Sequence, residues 1–274
     1  MTSPHTTHTE LRDASVADVR ASIRSGAYSG QTSGLARGKL QCNLAILPER
    51  YALDFLRFCQ RNPKPCPLVG VSDTGNPMLP TLGHDIDIRT DVPKYRVFRD
   101  GVLSDEVTDI SALWQEDLVT VALGCSFTFE NALMRNGIPV RHIEQGRNVP
   151  MFSSNIPLVS AGPFSGKMVV TMRPIAEAKV DQAKDISARY PQAHGAPIAT
   201  GSPGTLGIRD LSKPDWGEAV EVYEGEVPVY WACGVTPQNV LLNAKLPICI
   251  THSPGHMLLS DVAEDAETTI LNTE

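Results

Sequence analysis

The sequence predicts an α/β fold, with a three-layer α/β/α domain and a smaller two-layer α+β subdomain. The main observation is that residues 121–133 and 231–241 share one order of features: an apolar run, a turn with glycine and a hydroxyl residue, and a helical pattern. Residues 167–200 add a further alternation of strand and helix, which is typical of α/β proteins. With 274 residues, of which 42% are hydrophobic, the chain can bury a core for two unequal parts.

Composition divides the chain into segments. Residues 1–12 are polar and expected to be disordered, and residues 263–274 form an acidic tail. We expect the three-layer domain to be discontinuous, over residues 13–145 and 211–262. The smaller subdomain is expected between them, over residues 146–210, because Pro and Gly flank this part of the chain.

Two helices are predicted near the N-terminus. Ser15 begins a helix that extends to Arg24, because a serine followed three residues later by an acid is a helix-start pattern. A largely apolar run over residues 40–47 ends at Pro48, which is expected at the first position of a second helix that extends to about Arg61. The apolar residues of this second helix recur at helical spacing, which predicts that they lie in the core.

The next segment predicts short strands. Residues 85–89 alternate strictly, so Asp85, Asp87 and Arg89 are expected on one face of a strand. That face is either a salt-bridged surface exposed to solvent or the wall of a polar cleft. Residues 95–99 predict a further strand that ends at a turn.

The smaller subdomain is expected to contain a βαβ unit. Residues 167–172 predict its first strand, residues 175–190 an amphipathic helix and residues 194–200 its second strand.

The two repeated turns predict a binding site. The sequence aligns Gly124 and Ser126 of the first turn with Gly234 and Thr236 of the second. A second apolar run follows each helix and predicts a second strand there. A helix N-terminus carries positive partial charge and free N–H groups, and a carboxylate there gains about 0.3–1 kcal/mol. Two such turns could hold both ends of a small dicarboxylate. The alternative is that Ser126 and Thr236 only cap their helices.

Charge and composition limit the partners. A net charge of −7 argues against nucleic acid, because phosphate binding requires a basic face. No apolar stretch approaches the about 20 residues that span a bilayer, and no secretory signal pattern is present, so we expect a cytoplasmic protein with no membrane partner. The six cysteines form no CxxC pair and are expected to be reduced thiols. The oligomeric state stays open, with a homo-oligomer among the alternatives.

No signature of a common hydrolase, NTPase or dehydrogenase is present, so individual residues carry the catalytic candidates. Cys125 is a candidate nucleophile, since a turn before a helix lowers a thiol pKa; the alternative is a small buried cysteine. Glu130 is a candidate general base if burial raises its pKa, or else a first-turn acid that complements the helix dipole. His252 follows a predicted parallel strand, where an acid, a base or a metal ligand would be useful; alternatively it orders the following turn.

Two arginines are candidates for binding a substrate carboxylate. Arg89 and Arg173 lie on or just after predicted strands, from which a guanidinium can bind a carboxylate through two hydrogen bonds. Structural ion pairs are the alternative for both.

Specific runs occur in one collinear order between about Arg20 and Asp261. Among them are Asn62-Pro-Lys-Pro-Cys-Pro67, Arg147-Asn-Val-Pro-Met151 and Trp231-Ala-Cys-Gly-Val-Thr-Pro-Gln238. On these runs the chain resembles the D-glutamate cyclase family, whose bacterial members are often labelled hydro-lyases. The resemblance implies a three-layer α/β part with a smaller α+β part, and a reaction in which D-glutamate loses water to give 5-oxo-D-proline.

The resemblance also suggests roles for the candidate residues. The two turns would hold one carboxylate and the developing oxyanion, Arg89 or Arg173 the other carboxylate, and Glu130 or His252 would act as base and acid. The substrate amine would be read by three amide side chains, those of Asn131, Gln238 and Asn239.

Eukaryotic relatives in the family suggest a divalent metal, Mn²⁺, for which Asp87, Asp91 and His252 would be candidate ligands. Ala199 and Ser202 stand where the family pattern has His and Asp, which bears on the identity of the substrate.

Two other functions are open at this stage. The chain could be a non-catalytic protein that binds small carboxylates and works beside enzymes of 5-oxoproline metabolism, or a hydro-lyase acting on a different hydroxy or amino acid. Under each of these functions the partner is a small molecule with one or two carboxylates.

Overall fold

The structure is a computed structural model that describes residues 6–266. The strands are β1 (Lys39–Pro48), β2 (Leu68–Val71), β3 (Tyr95–Arg99), β4 (Val102–Val107), β5 (Leu118–Gly124), β6 (Met151–Pro157), β7 (Lys167–Ala176), β8 (Ala199–Thr200), β9 (Glu226–Ala232), β10 (Cys249–His252) and β11 (Leu258–Ala263). The helices are α1 (His8–Leu11), α2 (Val16–Arg24), α3 (Glu49–Arg61), α4 (Phe127–Arg135), α5 (Arg141–Glu144), α6 (Val180–Ala188) and α7 (Val235–Ala244).

The strands form two sheets. The larger sheet has the order β2-β5-β1-β10-β3-β4, with β11 also paired to β1, and the smaller has the order β6-β7-β9-β8. Every pairing between these strands is antiparallel. The mixture of helices and sheets agrees with the predicted α/β class, but the parallel strand expected at His252 is wrong, because β10 runs antiparallel to both of its neighbours. The layer arrangement stays a prediction.

The core explains why β1 is the central strand. Leu44 and Ile46 pack into a cluster on one face of the larger sheet, and Ala45 and Leu47 pack into a second cluster on the other face. A strand covered on both faces reads as a continuous apolar run, as this one does. Helices α3 and α7 cover the second face, while α4 and α6 pack on the smaller sheet.

Several predicted elements are confirmed. Helix α2 begins after Ser15, whose side chain accepts a hydrogen bond from Asp18 N at 3.2 Å. Helix α3 ends at Arg61 as predicted, although Pro48 is its N-cap residue rather than its first helical residue. Strand β3 is also found where residues 95–99 predicted it.

Other predicted elements are wrong. Residues 85–89 form turns, in which Asp87 makes only an isolated bridge with Met78. The apolar run after α4 leads into the short helix α5 instead of a strand. Strand β7 extends to Ala176, so the following helix begins at Val180, and only residues 199–200 of the second predicted strand are extended.

The ends and boundaries also differ from expectation. His8–Leu11, expected to be disordered, form the short helix α1 with Leu11 buried. Residues 1–5 and 267–274 lie outside the described residues, so most of the predicted acidic tail does too. Strand β9 pairs with β7 and β8, so the smaller sheet includes residues beyond the predicted boundary at 210. The domain division itself stays a prediction.

Among the described residues, no helix combines the length and the apolar character that crossing a membrane requires.

Candidate active site

A small cavity of about 20 Å³ lies where the starts of α4 and α7 meet. Its lining is made of residues from the two turns, from β1 and β7, and from the loops before β6 and β11. These residues are Asn43, Cys125, Ser126, Phe127, Asn148, Val149, Met151, Thr171, Cys233, Gly234, Val235, His252, Pro254, Gly255 and Met257. The two turns singled out in the sequence therefore face one cavity.

The two helix starts have the same construction. Ser126 and Gly234 are the N-cap residues of α4 and α7, and neither helix has a side-chain cap. The N–H of Val235 donates to Cys233 Sγ at 3.4 Å, and the N–H of Phe127 bonds to Cys125 in the same way. Sulfur is a weak acceptor and neither N-cap residue adds a side-chain cap, so the positive ends of both helices lie at the cavity.

The repeat has a different register from the one that the sequence suggested. Thr128 Oγ1 accepts from Gln41 N on β1 at 3.2 Å, and Thr236 Oγ1 accepts from Val169 N on β7 at 3.0 Å. Thr128 is thus equivalent to Thr236, and Ser126 to Gly234. The alignment of Ser126 with Thr236 is wrong because the glycine of the second turn occupies the N-cap position itself.

The strands beside the two turns are equivalent as well. Gly124 of β5 and Ala232 of β9 each lie three residues before the first residue of the helix that follows. Gly124 pairs with Cys42 of β1, and Ala232 pairs with Val170 of β7. The residues that follow, Asn43 and Thr171, are therefore equivalent, and both line the cavity.

The start of α4 is backed by a buried charge network, here called the charged half: Ser126, Glu130, His142, Thr171 and Arg173. Arg173 Nε and Nη2 donate to Glu130 Oε1 at 3.1 Å and 2.5 Å, and His142 Nε2 lies 3.0 Å from the same oxygen. The side chains of these three ionisable residues are each 1% exposed. Arg173 stands behind the lining, and two of its nitrogens donate to one oxygen of Glu130.

The pKa of Glu130 does not rise as expected. Burial alone raises it, but the charges and hydrogen bonds of His142 and Arg173 outweigh burial, and the pKa lies below its ordinary value. Glu130 is therefore held as a carboxylate in an ion pair, which does not favour a free general base.

The hydroxyls of Ser126 and Thr171 lie between Arg173 and the cavity. Arg173 Nη2 donates to Ser126 Oγ at 3.1 Å, and Nη1 donates to Thr171 Oγ1 at 3.0 Å. Both residues line the cavity. The guanidinium therefore influences the cavity through these hydroxyls.

The start of α7 has a neutral network instead, here called the neutral half: Asn43, Gly234, Gln238 and His252. His252 is fully buried, and its Nδ1 accepts a hydrogen bond from Leu44 N at 3.0 Å. Burial lowers the pKa of His252 to about 3. The ring is thus neutral near pH 7, and because Nδ1 accepts, its proton is on Nε2.

Gln238 occupies the position in α7 that Glu130 occupies in α4. Its Nε2 donates to His252 O at 3.0 Å. Glu130 of α4 contacts His142, and Gln238 of α7 contacts His252. In both repeats, therefore, the side chain at this helix position contacts a histidine from the segment after the helix.

Asn43 and Gly234 are in tight contact. A Cβ on Gly234 would lie 2.1 Å from Asn43 Nδ2, and that amide also donates to Gly124 O at 2.7 Å. Only glycine leaves room for Asn43 to join both turns, which accounts for Gly234 at a position where the other repeat has Ser126.

The two cavity thiols are not activated. Burial raises the pKa of Cys125 to about 12 and that of Cys233 to about 11. Burial outweighs the bond from the Phe127 N–H, which does not favour the thiolate expected at Cys125. A small buried cysteine at a tight turn was the alternative, and the structure agrees with it.

Several candidates do not reach the cavity. Thr236 is buried, and its hydroxyl donates to Val169 O at 3.2 Å. The side chains of Asn131, Gln238 and Asn239 are not among the lining residues either. Arg89 pairs with Asp87 in a surface loop, where Nη2 and Oδ2 are 2.7 Å apart.

The residues present do not fit a Mn²⁺ site. Asp91 is bound by Arg24 at 2.6 Å, and Asp87 by Arg89, so neither joins His252. The described residues contain no group of three or more His, Cys, Asp or Glu side chains placed to hold a metal. Carboxylates are the ligands that Mn²⁺ prefers, and none lines the cavity.

The fold and the cavity define a class, an α/β protein with a largely apolar cavity between two helix starts. The D-glutamate cyclase family model matches residues 119–261, which include both turns. A relative from Jannaschia sp. (strain CCS1), named "Putative hydro-lyase", is 78% identical over 94% of this chain and 97% of its own length. Another of the same name, from Dinoroseobacter shibae, is 61% identical over 96% of this chain and 88% of its own. The chain belongs to the D-glutamate cyclase family, as the sequence runs predicted.

Solved structures also match, among them a nitrogen repressor-like protein from Methanococcus jannaschii. It is 11% identical, covers 91% of this chain and 98% of its own, and has a TM-score of 0.38. This similarity carries no argument about the fold or the site.

Proposed function

We propose that this protein is a hydro-lyase whose reaction takes place in the cavity between α4 and α7, on a small molecule that carries a carboxylate. The observation that carries the proposal is the meeting of two helix starts, whose N-cap residues supply no side-chain cap, at one small cavity. Helix starts favour anions. Membership of the D-glutamate cyclase family supports an enzyme of the lyase class.

The reaction proposed is the cyclisation of D-glutamate to 5-oxo-D-proline. The amino nitrogen bonds to the carbon of the side-chain carboxylate, one C–O bond of that carboxylate breaks, and the oxygen leaves as water. Both protons of this water come from the ammonium group, so the reaction needs no net proton from the protein.

A reaction that needs no net proton from the protein suits a cavity whose lining is uncharged. The ionisable residues that line the cavity are Cys125, Cys233 and His252, and burial keeps all three uncharged near pH 7. Their contribution is to exclude water and hold the substrate folded on itself, which raises the effective concentration of the amine at the carboxylate. His252 is a neutral ring in the place where an acid was expected, and its Nε2 lies 3.1 Å from Gln238 Nε2.

The same lining also favours a second candidate, a carboxylate-binding protein without catalysis. No lining residue has a pKa near 7, and so none is adjusted to accept and return a proton there. Such a protein would bind the substrate of the first proposal and leave it unchanged.

Incubation with D-glutamate and, separately, L-glutamate, followed by chiral chromatography for 5-oxoproline, tests the proposal. Product from the D form above the uncatalysed rate supports a cyclase. Saturable binding of D-glutamate without product supports the carboxylate-binding protein. Product from neither form and no binding would contradict both.

A further inference from the structure

We propose that Ser126 and Thr171 form a pair of hydrogen-bond donors for an anionic oxygen of the ligand, and that Arg173 is the positioning residue that orients both hydroxyls. The inference rests on the proposed function of the cavity as a carboxylate site. It assigns the ligand contacts of the charged half to two side chains and places Arg173 out of contact with the ligand.

The direction of the hydrogen bonds carries the argument. A guanidinium only donates, so Ser126 Oγ and Thr171 Oγ1 must accept from Arg173, at 3.1 Å and 3.0 Å. A hydroxyl that accepts on one side has its own proton free to point elsewhere. Ser126 and Thr171 line the cavity while Arg173 does not, so the open direction for both protons is toward the cavity.

Both protons lack a strong acceptor among the described residues. The hydrogen bonds of this part of the chain include none that Ser126 Oγ donates. Thr171 Oγ1 reaches only Trp231 O at 3.5 Å, well beyond the about 2.5–3.0 Å of a good O–H···O bond. A carboxylate or a tetrahedral oxyanion would accept short, charge-assisted hydrogen bonds from both hydroxyls.

The guanidinium is fixed in place. Glu130 binds two of its nitrogens, and His142 lies against the same Glu130 oxygen. The rings of Phe129 and Trp231 flank it, with centroids 5.2 Å and 5.3 Å away. Donors held in this way need no reorganisation when charge develops on the ligand.

The neutral half has no such pair. The residue equivalent to Thr171 is Asn43, whose amide already donates to Gly124 O, and the residue equivalent to Arg173 by strand pairing is Ala45. Gly234 replaces Ser126. The repeat therefore supplies hydroxyl donors on one side of the cavity only, and a ligand carboxylate is expected on the α4 side.

Three single variants of the full chain test the donor pair: Thr171→Val, Ser126→Ala and the conservative Thr171→Ser. The probes are glutarate, for binding by calorimetry, and D-glutamate, for turnover. Losing one bond to a charged oxygen should weaken glutarate binding about 10–100-fold in Thr171→Val and Ser126→Ala. Thr171→Ser should restore binding to within about threefold, because it keeps the hydroxyl.

Thr120→Val is the matched control. Thr120 is also a buried strand threonine, but its hydroxyl has no hydrogen-bond partner and it does not line the cavity. Its substitution should leave glutarate binding unchanged. If Thr171→Val binds glutarate as well as Thr120→Val does, the donor pair is wrong, and so it is if wild type binds no glutarate.

Turnover separates this inference from the proposed function. Glutarate binding that depends on Ser126 and Thr171, without 5-oxoproline from D-glutamate, would contradict the cyclisation and leave the donor pair standing. Turnover of D-glutamate that is insensitive to both substitutions would contradict the donor pair and leave the cyclisation standing.

The positioning role of Arg173 is tested in the double variant Glu130→Gln with Arg173→Met. This variant removes the charge of Arg173 without leaving Glu130 as an unpaired charge. If Arg173 acts only through the two hydroxyls, adding Thr171→Val to this background changes glutarate binding by less than about twofold. A further loss of about tenfold would show that Thr171 and Arg173 act independently, and would overturn the positioning role.

Discussion

The two halves of the cavity share one backbone plan and differ in charge. Around α4, Glu130 and Arg173 form a buried ion pair behind two hydroxyls. Around α7, Gln238 stands in the place of Glu130 and contacts the neutral His252, and Ala45 stands in the place of Arg173. Equivalent backbones therefore do not imply equivalent chemistry. The two ends of the cavity therefore differ in chemistry, so that a ligand with two unlike ends can bind in one orientation.

The difference also shows how a buried charge is tolerated. Glu130 and Arg173 pair with each other through Glu130 Oε1, although Glu130 Oε2 has no hydrogen-bond partner among the described residues. The neutral half avoids buried charge by keeping His252 unprotonated. Both arrangements lower the cost of burying polar groups. They should respond differently when one partner is removed.

The largest effect is expected from Arg173→Met, because it leaves Glu130 as an unpaired buried charge. We expect a loss of about 3–5 kcal/mol in the free energy of unfolding, measured by urea denaturation. Arg57→Met, which breaks the exposed pair with Asp54, should lose under about 1 kcal/mol. Equal losses in the two variants would mean that the charged half is not a buried ion pair.

A smaller loss is expected from Gly234→Ala in the neutral half. The new Cβ would displace the Asn43 amide, and overpacking of this kind costs about 1–3 kcal/mol. Adding Asn43→Ala should recover part of the stability by making room. Gly204→Ala, where the nearest atom is 3.7 Å away, is the control and should stay within about 0.5 kcal/mol of wild type. No recovery in the double variant would count against the proposed contact.

Acid should destabilise the fold through its neutral histidines. The pKa of His252 is lowered to about 3 and that of His194 to about 4, in both cases mainly by burial. Below the ordinary value of 6.5 the unfolded chain takes up these protons and the folded chain does not, so stability falls as pH drops from about 6.5 toward about 4. Each histidine contributes at most about 1.4 kcal/mol per pH unit.

Urea denaturation of wild type and His252→Gln between pH 7 and pH 4.5 measures this dependence. The variant lacks one of the two protons and should show a shallower loss of stability with falling pH. Slopes, rather than stabilities at one pH, are compared, because the substitution also removes the bond to the Leu44 N–H. Parallel slopes would show that His252 is protonated in the fold.

The smallest effect concerns the cysteines of both halves. Because Cys125 and Cys233 are buried with pKa values of about 12 and about 11, iodoacetamide at pH 8 should leave them unmodified in the folded protein. Mass spectrometry should find both alkylated within the same time in urea. Rapid labelling of Cys125 alone in the folded protein would revive the nucleophile hypothesis for the charged half.

Local patterns in the sequence determined the elements whose cause is local. Helix α2 follows from Ser15 and Asp18, α3 from the apolar spacing after Pro48, and strand β3 from the turn that ends it. The two turns before α4 and α7 were also visible, because a glycine or hydroxyl residue between an apolar run and a helix has a local signature. The family was recognisable from its specific runs for the same reason.

The tertiary structure alone decided the direction of the strands and the chemistry of the cavity. Antiparallel and parallel partners leave similar apolar runs in a sequence, so β10 could not be oriented before its neighbours were known. Asn43 and Thr171 were missed as lining residues because single polar residues in a buried strand carry no signal of what they face. The pKa of Glu130 depends on Arg173 and His142, which are distant in sequence and adjacent only in the fold. Burial and charge pairing are properties of the folded chain, and for that reason the chemical difference between the two halves could be read only from the structure.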